Sequence, residues 1–354
     1  VTMYASLLMM GISTSIIGIL PPAASAGVGV VIVLQLMRLA QCFGRGGTWG
    51  GGILMAYENV PENKRSFYAA IPQIGLPIGF GLSSILIAVP TLLLPEDIFF
   101  TWGWRIPFLA AIILTLIVIR QKGEMMETED YKKAQAKLEA EEAEGKKHKV
   151  GFIPMVKGYW KTLLLGCGTR WVDGTFYNIF IVWILSYCIN WLGMPLIQTY
   201  IITIIACIFK IPFTLFGGWC AQKLGNTRTF VIGALASAVL SIPTLKVIEL
   251  SKGNLAITII GIVLGWSIAY NLIWAVISSL WSSYFETEVR YSGISFVYHV
   301  PSFLVAGMVP TICTLLINYG KGNTIYVGIY STVVALISAA CALALKARHD
   351  RGEK

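Results

Sequence analysis

Two arginines seven residues apart, Arg38 and Arg45, lie inside an apolar run from about Val28 to Tyr57. At roughly 1.5 Å per residue, a helix over that run is long enough to cross a bilayer. A guanidinium at mid-depth costs at least about 2.5–3.5 kcal/mol unless it faces protein or a watery cavity. Gly46/Gly50 and Gly47/Gly51 repeat at four residues, the spacing that lets a neighbouring helix backbone come close. One face of this helix is therefore for packing, while Arg38 and Arg45 fall on nearly one stripe. Buried charge beside a glycine seam predicts a polytopic membrane protein with an internal polar pathway.

The rest of the chain reads the same way. Only 13% of the 354 residues are charged and 56% are hydrophobic, whereas a soluble domain carries about 25% charged residues. The net charge of +9 is spread over short loops and an acid-mixed stretch, which is no nucleic-acid surface. Seven cysteines lack pairwise spacing and no Cys/His cluster occurs. Neither a disulfide, a structural metal nor a cofactor is expected. The segment starting at Val1 has no charged leader region, so it reads as a membrane span rather than a signal peptide, and the chain as a fragment lacking part of an N-terminal half.

Apolar windows of span length recur at Val1–Leu20, Val28–Tyr57, Phe67–Leu92, Trp104–Ile119, Tyr159–Cys188, Leu196–Cys220, Thr229–Val247, Leu255–Tyr284, Tyr291–Ile317 and Thr324–Leu345. The fourth is short by this cut and is expected to begin earlier. With the first span running outward, Lys64, Arg65, Lys223, Arg228, Arg290 and the Lys346–Lys354 tail fall inside, against Arg105, Lys246, Lys252 and Lys321 outside. That asymmetry places both ends in the cytoplasm. Residues 121–158 form the one long hydrophilic stretch, and its interleaved charges suit a solvated, partly helical linker. It separates a bundle over 1–120 from a second over 159–346, with a cytoplasmic tail at 347–354. Pro61–Tyr68 before the third span echoes Phe285–Ser292 before the ninth, as related halves would.

The segment Arg38-Leu-Ala-Gln-Cys-Phe-Gly-Arg45-Gly-Gly-Thr48-Trp49-Gly-Gly resembles the fourth-helix signature RLLQGFGAGGEWGG of the metabolite:proton symporter family within the major facilitator superfamily. Pro61–Tyr68, Pro72–Gly75, Trp102–Phe108, Arg170–Asp173 with Phe176-Tyr177, and Glu288–Ser295 with Tyr298 are similar to further family segments. The resemblance implies an all-α fold with about ten of the family's twelve helices, the first two missing. It implies a transporter rather than an enzyme, working by alternating access in the cell membrane, with shikimate, proline and betaine, α-ketoglutarate or citrate as the family's cargoes. Three departures stand out. Thr48 replaces the family's glutamate, Arg45 replaces a small residue, and in the loop motif Gly218–Arg228 Gln222 stands in the place of an acid. A carboxylate there would bridge to basic residues and latch one access state; Gln222 hydrogen bonds without ion pairing, so the latch, with Gly218, Lys223, Gly225, Arg228, Arg65 and Arg290 around it, is expected to be weaker.

Apart from residues at span ends, the basic, acidic and histidine side chains inside the predicted spans are Arg38, Arg45, Arg170, Asp173, Lys210 and His299. Asp173 follows Arg170 by three residues, so the two share a helix face. They are either a self-neutralising packing pair or the lining of the path, with Asp173 the proton-coupling group. His299 is either a second titratable group or a packing residue. Arg38 can be structural, and Lys210 is expected to snorkel to the membrane edge. Cations outnumber anions, and guanidinium groups suit carboxylates. The expected cargo is thus a small organic acid, carried with protons by a monomer in the lipid bilayer. Arg45 and Arg170, from opposite bundles, are its direct partners, and Trp49, Gln73, Tyr177 and Tyr298 line the site with Tyr270 and Asn271. A zwitterion such as proline or betaine, or a truncated homologue that does not transport, are the alternatives.

Overall fold

A computed structural model describes residues 2–22, 27–58, 60–120 and 152–353. Of the linker expected over 121–158, residues 121–151 fall outside them, and 152–158 are instead the start of the helix Phe152–Tyr177. Where there is no water to receive a backbone N–H or C=O, a helix satisfies both internally, and the described chain is accordingly helical throughout. The helices are α1 (Thr2–Ile19), α2 (Val28–Glu58), α3 (Arg65–Ala70), α4 (Gly75–Leu93), α5 (Glu96–Thr101), α6 (Ile106–Arg120), α7 (Phe152–Tyr177) and α8 (Ile184–Asn190). They continue as α9 (Leu196–Leu224), α10 (Asn226–Leu250), α11 (Leu255–Ile262), α12 (Asn271–Ser282), α13 (Thr287–Leu304), α14 (Val309–Tyr319) and α15 (Ile325–Asp350). Among the described residues nine helical runs are long and apolar enough to cross a membrane, with Tyr4–Ile19 as a shorter apolar helix beside them. These correspond one to one with the ten windows read from hydropathy. The fourth does begin earlier, in a 3-10 turn at Gly103–Arg105.

Two of the runs are widened by π-helical turns, Asn178–Trp183 between α7 and α8 and Val263–Ala269 between α11 and α12. Such turns shift the hydrogen-bond ladder and recur at functional sites. Between α9 and α10 the reversal is made by Gly225 alone, whose φ of +89° is a conformation that a side chain would oppose.

Two compact units emerge. The first comprises residues 1–55 and 82–128. In it Gly44 of α2 meets α1 so closely that a Cβ would stand 2.7 Å from the Ser6 carbonyl oxygen. The close approaches expected at Gly46–Gly51 lie among residues whose surroundings are not described. Arg105 explains the Trp-Gly-Trp-Arg segment: it donates to the Leu20 carbonyl at 2.7 Å and to the Thr101 carbonyl at 2.8 Å. It thereby supplies donors to carbonyls at the end of α1 and in α5. Its guanidinium also lies 4.4 Å over the Trp104 ring.

The second unit comprises residues 56–81 and 129–354, and its core is aromatic, with Phe176, Phe180, Phe230, Trp266, Tyr270 and Trp281 fully buried. Small residues close its helix contacts, as lipid-embedded bundles require. Ser241 of α10 bonds Ser331 of α15, and the Val172 N–H donates to Ser338 at 3.1 Å. Residues 62–74 are fastened to the same unit. Gln73 donates to the Trp274 carbonyl at 3.2 Å and its own carbonyl accepts from the Trp274 indole at 3.1 Å.

Candidate functional site

One turn of α7 places Arg170 and Asp173 on a common face, and their side chains form an ion pair. Only 7% of Arg170 and 1% of Asp173 are exposed, so this pair is far from bulk water. From just beyond the second π-helical run, the Tyr270 hydroxyl donates to Asp173. From α13, Ser302 accepts from Arg170 Nη2 at 3.2 Å, and the guanidinium sits 4.3 Å over the Tyr298 ring.

The opposite wall is α9. Lys210 is wholly buried, with its ammonium 4.4 Å from the Trp266 ring centre and 4.3 Å from that of Tyr270. Its single hydrogen bond reaches the Trp266 carbonyl at 3.5 Å. The sequence expectation that Lys210 snorkels is therefore corrected: its stem runs inward because position 210 lies mid-helix on the face turned to the π-helical run, where two ring faces receive the charge. The floor is held by Asn271, which donates to the Lys210 carbonyl at 2.8 Å, and by Thr214, 3.1 Å from the Asn271 side-chain oxygen. Tyr270 is fixed from its other side by the nearly parallel ring of Phe176.

The chemical balance of this cluster is one-sided. Two basic side chains, Arg170 and Lys210, meet one carboxylate, Asp173. Arg170 Nε and Trp266 Nε1 are buried donors with no hydrogen-bond partner among the described residues. Buried donors are normally satisfied, so the cluster lacks acceptors and negative charge.

Of the residues singled out from sequence, the structure brings together Arg170, Asp173, Tyr298, Tyr270 and Asn271, with Lys210 beside them. His299 is half-buried and packs edge-on against Tyr298. Tyr177 lies 5.8 Å from the Phe80 ring, and the Gln73 amide is spent on Trp274. Arg45 is exposed on α2 in the first unit. Arg38, also exposed, donates to Gln41, which donates in turn to Thr14 on α1, a structural use. Trp49 is on α2, but its side chain lies outside those described. Lys210, Trp266 and Ser302 join the site without having been assigned to it. Lys210 was legible as a charge within an apolar span, whereas the ring faces that hold it come from a helix fifty-six residues on.

The loop motif forms a separate cluster. Gln222 accepts from the Phe67 N–H at 3.3 Å, and its amide nitrogen donates to the Asn63 carbonyl. Phe67 is third in α3, so Gln222 caps that helix from outside. Gly218 permits the contact, since a Cβ there would come 2.7 Å from that of Ala70. Arg65 and Arg290 lie 5.3 Å and 5.8 Å from the Tyr57 ring centre, while Lys223 and Arg228 are exposed beside the Gly225 reversal.

A family model, that of the Major Facilitator Superfamily, matches residues 2–310. An inner membrane metabolite transport protein of Escherichia coli (strain K12) is 32% identical over 99% of this chain and 78% of its own length. The shikimate transporter of the same organism is 30% identical over 96% of this chain and 76% of its own. A proline/betaine transporter, also from that strain, is 27% identical over 98% and 69%. Among solved structures, a proton:xylose symporter bound to 6-bromo-6-deoxy-D-glucose superposes with a TM-score of 0.70 at 16% identity, covering 96% of this chain and 78% of that one.

Proposed function

The chain belongs to the Major Facilitator Superfamily and is a multi-pass membrane transporter that moves its solute unchanged, and on that premise we propose that it carries a small organic acid together with protons. One observation carries the reading. Around Asp173 there are more buried basic groups and donors than acceptors, and a carboxylate arriving with a proton would answer both. Proton coupling is proposed on the same cluster, with Asp173 part of its network, because the Tyr270 phenol that bonds Asp173 also faces Lys210. The Arg170–Asp173 pair and Tyr298 are the proposed frame of the substrate and coupling site; Arg45 is a proposed second anion partner. Monomeric action and cytoplasmic ends, inferred from the charge asymmetry of the loops, complete the proposal.

A zwitterion is the second reading, favoured by the proline/betaine relative and by the ring faces of Tyr298, Trp266 and Tyr270. Those faces, however, hold the chain's own Arg170 and Lys210, so an onium group would have to displace them. The acid reading is tested by uptake of labelled shikimate and labelled glycine betaine into proteoliposomes under an inward acid gradient. Accumulation of shikimate that collapses with a protonophore is expected; accumulation of betaine alone would replace the acid with a zwitterion.

A further inference from the structure

Arg170 already has a counter-ion in Asp173. Lys210 has none among the described residues: its neighbours are the faces of Trp266 and Tyr270 and one carbonyl 3.5 Å away. An ammonium has three donors, and here two of them are unused. The Trp266 indole N–H is likewise unpartnered and fully buried. A charge taken out of water without a partner is costly, and an opposite charge with good hydrogen bonds offsets that cost. Ring faces attract a cation but give it no negative charge.

We propose that the carboxylate of the cargo pairs with Lys210 and the Trp266 N–H, rather than with Arg170, and that Lys210 is the seat of the cotransported proton. This rests on the organic-acid reading and assigns the residue behind it. The step is a simple balance. A neutral Lys210 amine takes one proton from the aqueous side as one carboxylate enters, and both leave together on the other side. No bond of the cargo is made or broken. Anion and proton then favour each other's binding by the same factor, as linkage requires. With a monocarboxylate such as shikimate the anion and the proton cross as one neutral pair, and each further carboxylate of a di- or tricarboxylic acid leaves one negative charge uncompensated by this proton. The other titratable or charged groups facing Lys210 are Cys207 on its own helix, Tyr270 against its ammonium, and the Asp173–Arg170 pair beyond the Tyr270 hydroxyl. That pair is internally neutral, so the linked proton is assigned to the amine.

The test is calorimetric titration of the purified full chain in detergent with shikimate, α-ketoglutarate and citrate, run in buffers of different ionisation enthalpy so that proton uptake per anion is read directly. The wild type is expected to take up one proton per bound acid. Lys210→Met is expected to bind about thirtyfold or more weakly, as when one partner of a buried pair is removed. Lys210→Arg, whose charge is permanent, is expected to keep the affinity within about threefold and to take up no proton. Proton uptake persisting in Lys210→Arg, or wild-type affinity in Lys210→Met, would overturn the assignment while leaving the organic-acid reading intact. Failure of all three acids to bind the wild type would overturn both. Should Lys210→Met not elute as a monodisperse species, the proton count of Lys210→Arg decides alone.

Discussion

The phenolic proton of Tyr270 is donated to Asp173 across ninety-seven residues of sequence, tying the chain just beyond the second π-helical run to α7 in the core of the second unit. Removing the hydroxyl while keeping the ring isolates this bond. Tyr270→Phe leaves the stack on Phe176 and the face offered to Lys210. A hydrogen bond to a charged group contributes about 1.5–3 kcal/mol, so a lower thermal midpoint in detergent and slower proton-driven uptake are expected. A midpoint and uptake equal to wild type would remove the bond from the coupling network.

Asp173→Asn strips the counter-ion from Arg170 and leaves a buried guanidinium. Breaking a buried pair this way costs about 3–5 kcal/mol, and proton-driven accumulation should be lost while some exchange remains. The double variant Arg170→Met with Asp173→Asn should recover part of the stability. A double-mutant cycle by denaturant or thermal unfolding reads the coupling; additive effects would mean the two side chains do not act as a pair.

How much of this could be read beforehand differs by element. Hydropathy placed every described span, because lipid leaves the backbone no alternative to helix. The three-residue spacing of Arg170 and Asp173 likewise announced their contact. The inward course of Lys210 is not legible in sequence, because a window shows how far a charge is from a span's end, not which neighbours face it. Nor does any local pattern say that Gln73 exchanges hydrogen bonds with Trp274, two hundred and one residues on, since that contact depends on how residues 56–81 pack against α12. The π-helical turns at Asn178–Trp183 and Val263–Ala269 carry no composition signal distinct from an apolar helix.

Arg45→Ala addresses the first unit. If Arg45 helps to hold an anion, the apparent KM for shikimate should rise about tenfold with little change for a neutral analogue lacking the carboxylate. An equal effect on both would leave Arg45 a packing role.

Gln222→Leu removes the bonds from Gln222 to the Phe67 N–H of α3 and to the Asn63 carbonyl before it. A neutral hydrogen bond contributes about 0.5–1.5 kcal/mol, so hydrogen exchange over residues 63–70 should accelerate several-fold, with α10 and α15 unchanged. Unaltered exchange in that segment would show that Gln222 does not cap it.

On the proposed mechanism, cargo and proton meet at the buried Arg170, Asp173, Tyr270 and Lys210 cluster. The most direct measurement is the pH of the medium outside proteoliposomes when shikimate is added without an imposed gradient. Alkalinisation that stops with Asp173→Asn and with Lys210→Met is the predicted result. Shikimate accumulation that ignores a protonophore and survives both substitutions would contradict it.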